Sequence, residues 1–250
     1  MMRTFYLMLA LMVLLAGAAA ADVAQIDVYT GYNRISAPLV PFDPKPSWAP
    51  DWALPGVFGN DLDVDFTDQL TRYDAPMGNT LIYDFSSVPG AFGYILLGDG
   101  FTLYHGGGQV QVNYDGVPDG VPDGLGNMTD MWISLPGLQG PEGDTGGWHL
   151  IGQPYAHSTD FNEAEYSWDG LNIKITDGTI LLPLIDASFP PYEWIDLPFV
   201  WLDGATQNSQ TVGYRSYFDN DDCLRPGLGY LVHTNKDNLA LILPSTPATH

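Results

Sequence analysis

The segments Gly31-Tyr32-Asn33-Arg34-Ile35-Ser36-Ala37-Pro38 and Gly147-Trp148-His149-Leu150-Ile151-Gly152-Gln153-Pro154 share the pattern G-[YW]-x-x-I-x-x-P. The two segments start 116 residues apart. A spacing of this size matches the length of one domain, and a motif that recurs at such a spacing indicates a duplicated unit. The sequence therefore predicts two tandem copies of one domain.

Two shorter motifs follow in the same order in both halves. Asp74-Ala75 is echoed by Asp186-Ala187, and the PGAFGY of residues 89–94 is echoed by the PGLGY of residues 226–230. We expect these echoes to mark equivalent places in the two copies.

Short apolar runs of strand length dominate the chain, and long amphipathic helical patterns are nearly absent. Gly, Pro, Asp or Asn bounds each run, as in strands joined by turns. Asp177-Gly178 predicts a two-residue hairpin turn, and Asp99-Gly100 predicts a second one. The predicted fold is all-β, with two tandem antiparallel β-sandwich domains of an immunoglobulin/fibronectin-like or jelly-roll-like kind.

The best domain boundary is the D-G-V-P repeat that begins at Asp115. Its prolines argue against a sheet-interior strand, because proline cannot donate to the ladder. The predicted organisation is repeat 1 over residues 22–116, a linker over 117–128, repeat 2 over 129–244, and a tail over 245–250.

Residues 1–21 have the pattern of a secretory signal peptide. Arg3 provides the positive charge, residues 5–15 are apolar, and small residues at 18–21 suit cleavage. We expect a secreted protein that is extracellular or held at the cell surface, with no membrane span in the mature chain.

The chain is strongly acidic, with 30 Asp and Glu against 8 Lys and Arg. Because the signal segment holds one Arg and no acid, its removal changes the formal charge from -22 to -23. Phosphate binding requires clustered cations, so nucleic acid is excluded as a partner class. Such a charge attracts cations and keeps an exported protein soluble.

Calcium is the one cofactor that the sequence suggests. Ca²⁺ prefers several carboxylate or amide oxygens at short range, and Asp at alternate or periodic positions can deliver them. The alternative is that these Asp side chains only stabilise turns. The candidate ligands are Asp115, Asp119, Asp123, Asn127, Asp130, Asp61, Asp63 and Asp65.

The aromatic residues offer stacking surfaces for sugar rings. Two aromatic pairs recur with the repeat, Tyr32 with Trp148 and Tyr94 with Tyr230, and both are interpreted as core. The tryptophans outside the repeated motifs, Trp168, Trp194 and Trp201, lie near acidic loops and are the predicted sugar-stacking residues.

The motifs of serine hydrolases, zinc peptidases and P-loop proteins are absent from the sequence. Glycoside hydrolysis needs two carboxylates across a cleft. Glu163, Glu165 and Glu193 do not select such a pair. The expectation is a protein that is not an enzyme, with no catalytic residues assigned.

The second half resembles extracellular bacterial β-sandwich repeat modules that carry a G-W-N-L-I-G-x-P segment and a closing P-G-x-G-Y-W segment. His149 and Leu231 depart from that pattern. The first half resembles these modules less closely. The resemblance implies a structural or adhesive part of a surface protein.

The expected function is that of an exported, non-catalytic structural or adhesive protein of a surface, matrix or filament, stabilised by calcium. Its expected partners are other copies of itself or other surface proteins. The alternatives are a carbohydrate-binding module protein, which would bind polysaccharide, and a polysaccharide-active hydrolase.

Overall fold

The computed structural model describes residues 22–41, 68–83, 91–93, 95–117, 130–138, 145–161, 173–213 and 223–245. The strands are β1 Asp22–Val28, β2 Gly31–Ser36, β3 Val40–Pro41, β4 Asp68–Asp74, β5 Asn79–Ile82, β6 Gly100–His105, β7 Val110–Val117, β8 Met131–Leu135, β9 Gly147–Gly152, β10 Thr159–Asp160, β11 Lys174–Thr176, β12 Leu181–Pro183, β13 Phe199–Asp203, β14 Asn208–Val212, β15 Cys223–Leu224, β16 Gly229–Thr234 and β17 Leu239–Leu243. A four-residue helix, α1, covers Leu184–Ala187. No helix in these ranges is long and apolar enough to cross a membrane.

Each half of the chain builds its own pair of antiparallel sheets. The first half forms β2-β6-β4-β5 and β1-β7-β3, and the second half forms β9-β16-β13-β14 and β8-β17-β11-β12. A small sheet of β10 and β15 also belongs to the second half. Every described strand pair is antiparallel and α1 is short, so the prediction of an all-β fold made of antiparallel sheets is confirmed.

The register of the strands shows that the two halves are copies of one unit. β4 and β5 pair Asp74 with Asn79, and 129 positions later β13 and β14 pair Asp203 with Asn208. β2 pairs with β6 as β9 pairs with β16, residue for residue. The same four-residue turn closes the β4–β5 and β13–β14 hairpins. Copy 1 and copy 2 below denote residues 22–117 and 130–245.

Each copy encloses a separate hydrophobic core between its two sheets. In copy 1, Val28 and Val112 of one sheet pack in one cluster with Leu70 and Phe101 of the other. The core of copy 2 likewise draws on both of its four-stranded sheets. Side chains alternate across a strand, so one face of each sheet supplies the core and the other faces outward. Two sandwiches with two cores agree with the predicted duplication.

Of the two predicted hairpin turns, one is present in a longer form. β11 and β12 are joined by residues 177–180, a four-residue loop in which the Asp177 carboxylate accepts hydrogen bonds from the Thr179 and Ile180 amides. The two-residue turn predicted there is wrong because Asp177 bonds to its own loop. The hairpin predicted at Asp99-Gly100 is also wrong, since Gly100 begins β6 and Asp99 pairs with the other copy.

The two shorter echoes do not mark equivalent places. Asp186 lies in α1, whereas the structural counterpart of Asp74 is Asp203. Residues 227–229, which precede and enter β16, correspond to residues 98–100, not to the earlier PGAFGY segment. Short Gly- and Asp-containing motifs recur in many turns, whereas the ladder register relates one residue to one counterpart.

The start of the D-G-V-P repeat is strand. β7 continues through Val117 and lies between β1 and β3, with Asp115 opposite Val23 and Gly116 opposite Asp22. Sheet pairing on both sides therefore overrides the local turn preference at these positions, contrary to the prediction. The rest of the predicted linker, the predicted signal peptide and the end of the predicted tail lie outside the described residues.

Candidate functional site

The two copies meet along β2 and β9 at equivalent positions. Ile35 forms an antiparallel bridge with Leu228, and its counterpart Ile151 forms one with Asp99. Leu228 and Asp99 are themselves counterparts, because each precedes the first residue of β16 or β6. The junction therefore has an internal pseudo-twofold symmetry.

Backbone hydrogen bonds repeat the same relation one residue further along. The Ser36 amide donates to the Gly227 carbonyl at 2.8 Å, and the Gly152 amide donates to the Gly98 carbonyl at 2.8 Å. Ser36 also donates its hydroxyl to the Leu228 carbonyl at 2.9 Å. These bonds satisfy backbone groups that an inner sheet edge would otherwise leave unpaired.

Glycines allow this close approach of the two backbones. A Cβ on Gly100 would lie 2.5 Å from the Ile151 carbonyl oxygen, and a Cβ on Gly229 would lie 3.0 Å from the Ile35 carbonyl oxygen. Both distances are shorter than ordinary carbon–oxygen contacts. The G-x-G spacing before β6 and β16 thus serves the junction of the copies.

Two clefts open at the junction, one on each side of the pseudo-twofold axis. The cavity that we name the Arg34 cleft measures about 520 Å³, and the one that we name the Arg72 cleft measures about 300 Å³. Many of their lining positions are equivalent in the two copies, although several of the residues differ. The counterparts are Ile26 and Ile133, Asn33 and His149, Arg34 and Leu150, Trp201 and Arg72, and Leu228 and Asp99.

The Arg72 cleft contains an internal ion pair. Arg72 Nη2 bonds to Asp99 Oδ2, and Nη1 donates to the Phe92 carbonyl at 3.0 Å. The guanidinium carbon also lies 5.2 Å from the centre of the Phe92 ring and 5.3 Å from that of Phe101. Burial raises the pKa of the Asp99 carboxyl, against the lowering effect of Arg72. The cation of this cleft, Arg72, is therefore already paired with a carboxylate of the protein.

His149 lines the Arg72 cleft as a neutral side chain. Its Nε2 lies 3.2 Å from Thr234 Oγ1, and the residue is buried. Burial, and secondarily the nearby His233, lowers the pKa of His149 to about 4. The ring is therefore a hydrogen-bonding group, not a cation, near pH 7.

The Arg34 cleft is lined by two arginines, and neither forms an ion pair with a described residue. The half-buried Arg34 donates from Nη1 to the Val200 carbonyl at 3.1 Å, and within the described ranges it forms no ion pair. Burial lowers the pKa of its guanidinium. Arg225, which is exposed, also lines this cleft and forms no ion pair with a described residue. The indole of Trp201 and the side chain of Tyr29 form part of the same wall.

The structure describes two of the predicted calcium ligands. The Asp130 carboxylate accepts a hydrogen bond from the Ser245 amide at 3.0 Å, which ties the segment after β17 to the start of β8. Asp115 lies in β7. Within the described parts of the chain, no group of three or more His, Cys, Asp and Glu side chains could hold a metal ion. The remaining candidates, Asp119, Asp123, Asn127, Asp61, Asp63 and Asp65, lie outside the described residues, so calcium binding stays a prediction.

The prediction of Trp194 as a sugar-stacking residue is wrong, because its ring is buried. This side chain is 6% exposed and packs in the core of copy 2, with the Lys236 ammonium 4.6 Å from its ring centre. Trp201 is half-buried and lines the Arg34 cleft. Trp168 lies outside the described residues. Of the two tryptophans that the structure describes, Trp201 is the one with surface left for a ligand.

The repeated aromatic pair is exposed, not core. Tyr32 is 56% exposed and packs edge to face on Tyr104, while Trp148 is 46% exposed and lies 4.8 Å from the His233 ring. The interpretation as core is wrong here because the buried positions of β2 and β9 are the alternate ones. The expectation is correct for Tyr230, which is 1% exposed. Tyr94 lies outside the described residues.

Sequence reasoning missed the two clefts, and the signal for one of them was present. Arg34 lies inside the repeated motif at a position where the second copy has Leu150. A charged residue that replaces an apolar one between two buried strand positions marks an asymmetry between copies. Its neighbours Trp201 and Arg225 come from the other copy, so only the tertiary structure brings the set together.

No family model, curated protein or solved structure matches this chain. The resemblance to extracellular bacterial repeat modules therefore stays a prediction.

Proposed function

We propose that this protein is an exported, non-catalytic structural or adhesive protein of a surface, matrix or filament, and that it assembles with other copies of itself. The observation that carries the proposal is a pair of open sheet edges, β5 and β14, at equivalent positions in the two copies. In the described part of the chain, no strand pairs with the outer side of either one.

The composition of these edges favours pairing with another strand. β5 reads Asn79-Thr80-Leu81-Ile82 and β14 reads Asn208-Ser209-Gln210-Thr211-Val212. Neither contains a charge or a proline, the residues that commonly protect an edge from further pairing. Most of their side chains are exposed. Two such edges on one molecule support growth of a chain of subunits, because each added copy leaves an edge open.

The inner edges differ from the outer ones in a way that supports this assignment. β2 and β9 are the opposite edges of the same sheets, and each is covered by the other copy at the junction. The molecule therefore already uses edge contacts to join two sandwiches of this type. Net charge opposes self-association, so salt that screens the charge should promote it.

The test is assembly of the mature protein in solution. Thr80→Lys combined with Ser209→Lys places a charge at equivalent positions of the two edges. Light scattering and size-exclusion chromatography over a range of protein and NaCl concentrations should show larger species for the native protein and monomers for this variant. Tyr104→Lys is the control for an added lysine away from the edges, because it places one exposed positive charge on β6, an interior strand. A native protein that stays monomeric at every concentration would contradict the proposal.

Carbohydrate binding is the second candidate, and the exposed ring pairs support it. Tyr32 with Tyr104 and Trp148 with His233 present aromatic surface at equivalent places on the outside of the two copies. Sugar rings stack on such surfaces through their apolar C–H faces. Titration of the protein with a panel of neutral polysaccharides, with tryptophan fluorescence as the readout, tests this role. Loss of binding in Trp148→Ala would support it, and binding unaffected by this change would remove the ring pair from the proposal.

A further inference from the structure

We propose that the Arg34 cleft is a binding site for an anionic sugar unit, one that carries a carboxylate or a sulfate on a saccharide ring. This inference goes beyond the assembly proposed above and does not depend on the edge strands. It rests on the comparison of two clefts that occupy equivalent positions and differ in how their charges are balanced.

In the Arg72 cleft, the positive charge is balanced by a carboxylate of the same copy. Its arginine comes from β4, and its counter-ion Asp99 comes from the segment before β6. The pair lies inside the smaller of the two cavities. Nothing further is required to balance the charge there.

In the Arg34 cleft both members of that pair are replaced by apolar residues. Trp201 stands at the position of Arg72, and Leu228 stands at the position of Asp99. The cation now comes from the other copy, as Arg34 on β2, and no carboxylate accompanies it within ion-pair distance among the described residues. A partly buried guanidinium loses hydration, and a bound anion replaces that hydration with a charge-assisted, often bidentate, contact.

Other groups of this cleft suit a sugar better than a bare inorganic anion. Trp201 and Tyr29 provide aromatic surface for the C–H face of a ring, and the exposed Asp27 can accept hydrogen bonds from ring hydroxyls. Arg225 adds a second guanidinium at the exposed side. The Asp203 carboxylate also lines the cleft, but it already accepts bonds from the Thr206 hydroxyl and the Ala205 amide.

The size of the cleft and the net charge of the chain also agree with a small anionic ligand. A cavity of about 520 Å³ lies within the usual range of small-molecule sites. The chain as a whole is strongly acidic, so a general attraction for anions is excluded and binding must arise locally. The proposal therefore predicts a specific site on a surface that otherwise repels acidic polymers.

The experiment titrates the full mature chain by calorimetry, with chelator present so that calcium cannot bridge two acidic molecules. The probes are a galacturonate oligosaccharide, a sulfated oligosaccharide and a neutral oligosaccharide of matched length. We expect binding of at least one anionic probe, with affinity that falls as salt rises, and weaker or absent binding of the neutral one. The carboxylated and sulfated probes distinguish the two sources of the anionic group.

Two variants test whether the ligand binds in the Arg34 cleft. Arg34→Met keeps most of the side-chain volume and should lower affinity about tenfold or more, since a charge-assisted bond is lost. Arg225→Met removes the exposed guanidinium and should also weaken binding. Circular dichroism and the melting temperature show whether Arg34→Met folds, and if it does not, Arg225→Met provides the test of the site. Lys174→Met is the control, because it removes one positive charge from β11, whose residues do not line the cleft. Its affinity should remain native.

Three outcomes would overturn the proposal. The first is no binding of either anionic probe at millimolar concentration. The second is equal binding of the neutral probe. The third is binding that survives both arginine substitutions in folded protein.

Discussion

Ile35 and Ile151 are equivalent residues of the two copies, and each bridges to a residue of the other copy. Ile35 pairs with Leu228, and Ile151 pairs with Asp99. The exchange is reciprocal, as in a twofold dimer, where the same patch of each subunit contacts the other. The chain is thus built like a dimer of sandwiches joined into one polypeptide, and the covered inner edges leave β5 and β14 as the outer ones.

Gly100→Ala should destabilise the protein by about 1 to 3 kcal/mol, because the added methyl group collides with the Ile151 carbonyl and the backbones must separate. Gly229→Ala should cost less, since its Cβ would stand 3.0 Å from the Ile35 carbonyl. Chemical denaturation measures both. Gly108→Ala is the control, because no atom lies within 4 Å of its added Cβ. Equal stability of Gly100→Ala and the native protein would contradict this account of the junction.

Each half of the chain, separated by a cut within residues 118–129, should fold alone and bind the other half when the two are mixed. Each has its own core, and the junction offers paired backbone groups on both sides. Circular dichroism melts of each half and size-exclusion chromatography of the mixture measure this. The first half carrying Gly100→Ala should bind less well. An unfolded first half would mean that the two copies share a core.

Arg72→Met and Asp99→Leu should each destabilise the protein, by roughly 1 to 3 kcal/mol, because each removes the ion pair between these two partly buried side chains. The double variant should lose less than the two single losses combined, with a coupling of about 0.5 kcal/mol or more. Denaturation of the four proteins in the cycle measures this coupling. Lys236→Met combined with Asp99→Leu is the control and should be additive, since Lys236 pairs with Asp177. Additivity for Arg72 and Asp99 would contradict the ion pair.

Stability should fall as the pH is lowered from 6.5 to about 4, in part through His149. Its pKa in the folded protein is about 4, below the ordinary histidine value of 6.5, so in this window the unfolded chain binds more protons than the folded one. The contribution is absent above pH 6.5 and reaches a loss on the order of 3 kcal/mol below pH 4. Denaturation at several pH values measures the slope.

His149→Asn is the matched variant for the pH experiment, because the counterpart in copy 1 is Asn33, which is also buried. It should flatten the dependence of stability on pH between 4 and 6.5. The carboxyl groups of the chain continue to titrate at the lower end, so the difference between the two proteins is the informative quantity. An unchanged slope would assign the pH dependence to other groups.

The sequence predicted the all-β class and the duplication, because both are written in local patterns. Short apolar runs bounded by Gly, Pro and Asp indicate strands, and the G-[YW]-x-x-I-x-x-P pattern that begins at Gly31 recurs at Gly147. It failed where short motifs were compared without their register. Asp186 looked like the echo of Asp74, yet Asp203 is the counterpart, because only hydrogen-bonded pairing says which residues lie opposite one another.

The local pattern also failed to predict which single side chains are buried. Tyr32 and Trp148 belong to the repeated motif but face outward, while Trp194 lies outside it and is buried. Repetition shows that a position matters in both copies, and it does not say on which face of a strand the side chain lies.

The sequence by itself determined that this chain consists of two copies of one antiparallel unit, since strand periodicity and repeated motifs depend only on neighbouring residues. The tertiary structure alone decided that β2 and β9 join the copies, that β5 and β14 are the outer edges of their sheets among the described strands, and that Arg34 and Trp201 line one cleft. These relations join residues more than 100 positions apart. The free energy that selects them comes from packing and hydrogen bonds between the copies, which no local pattern records.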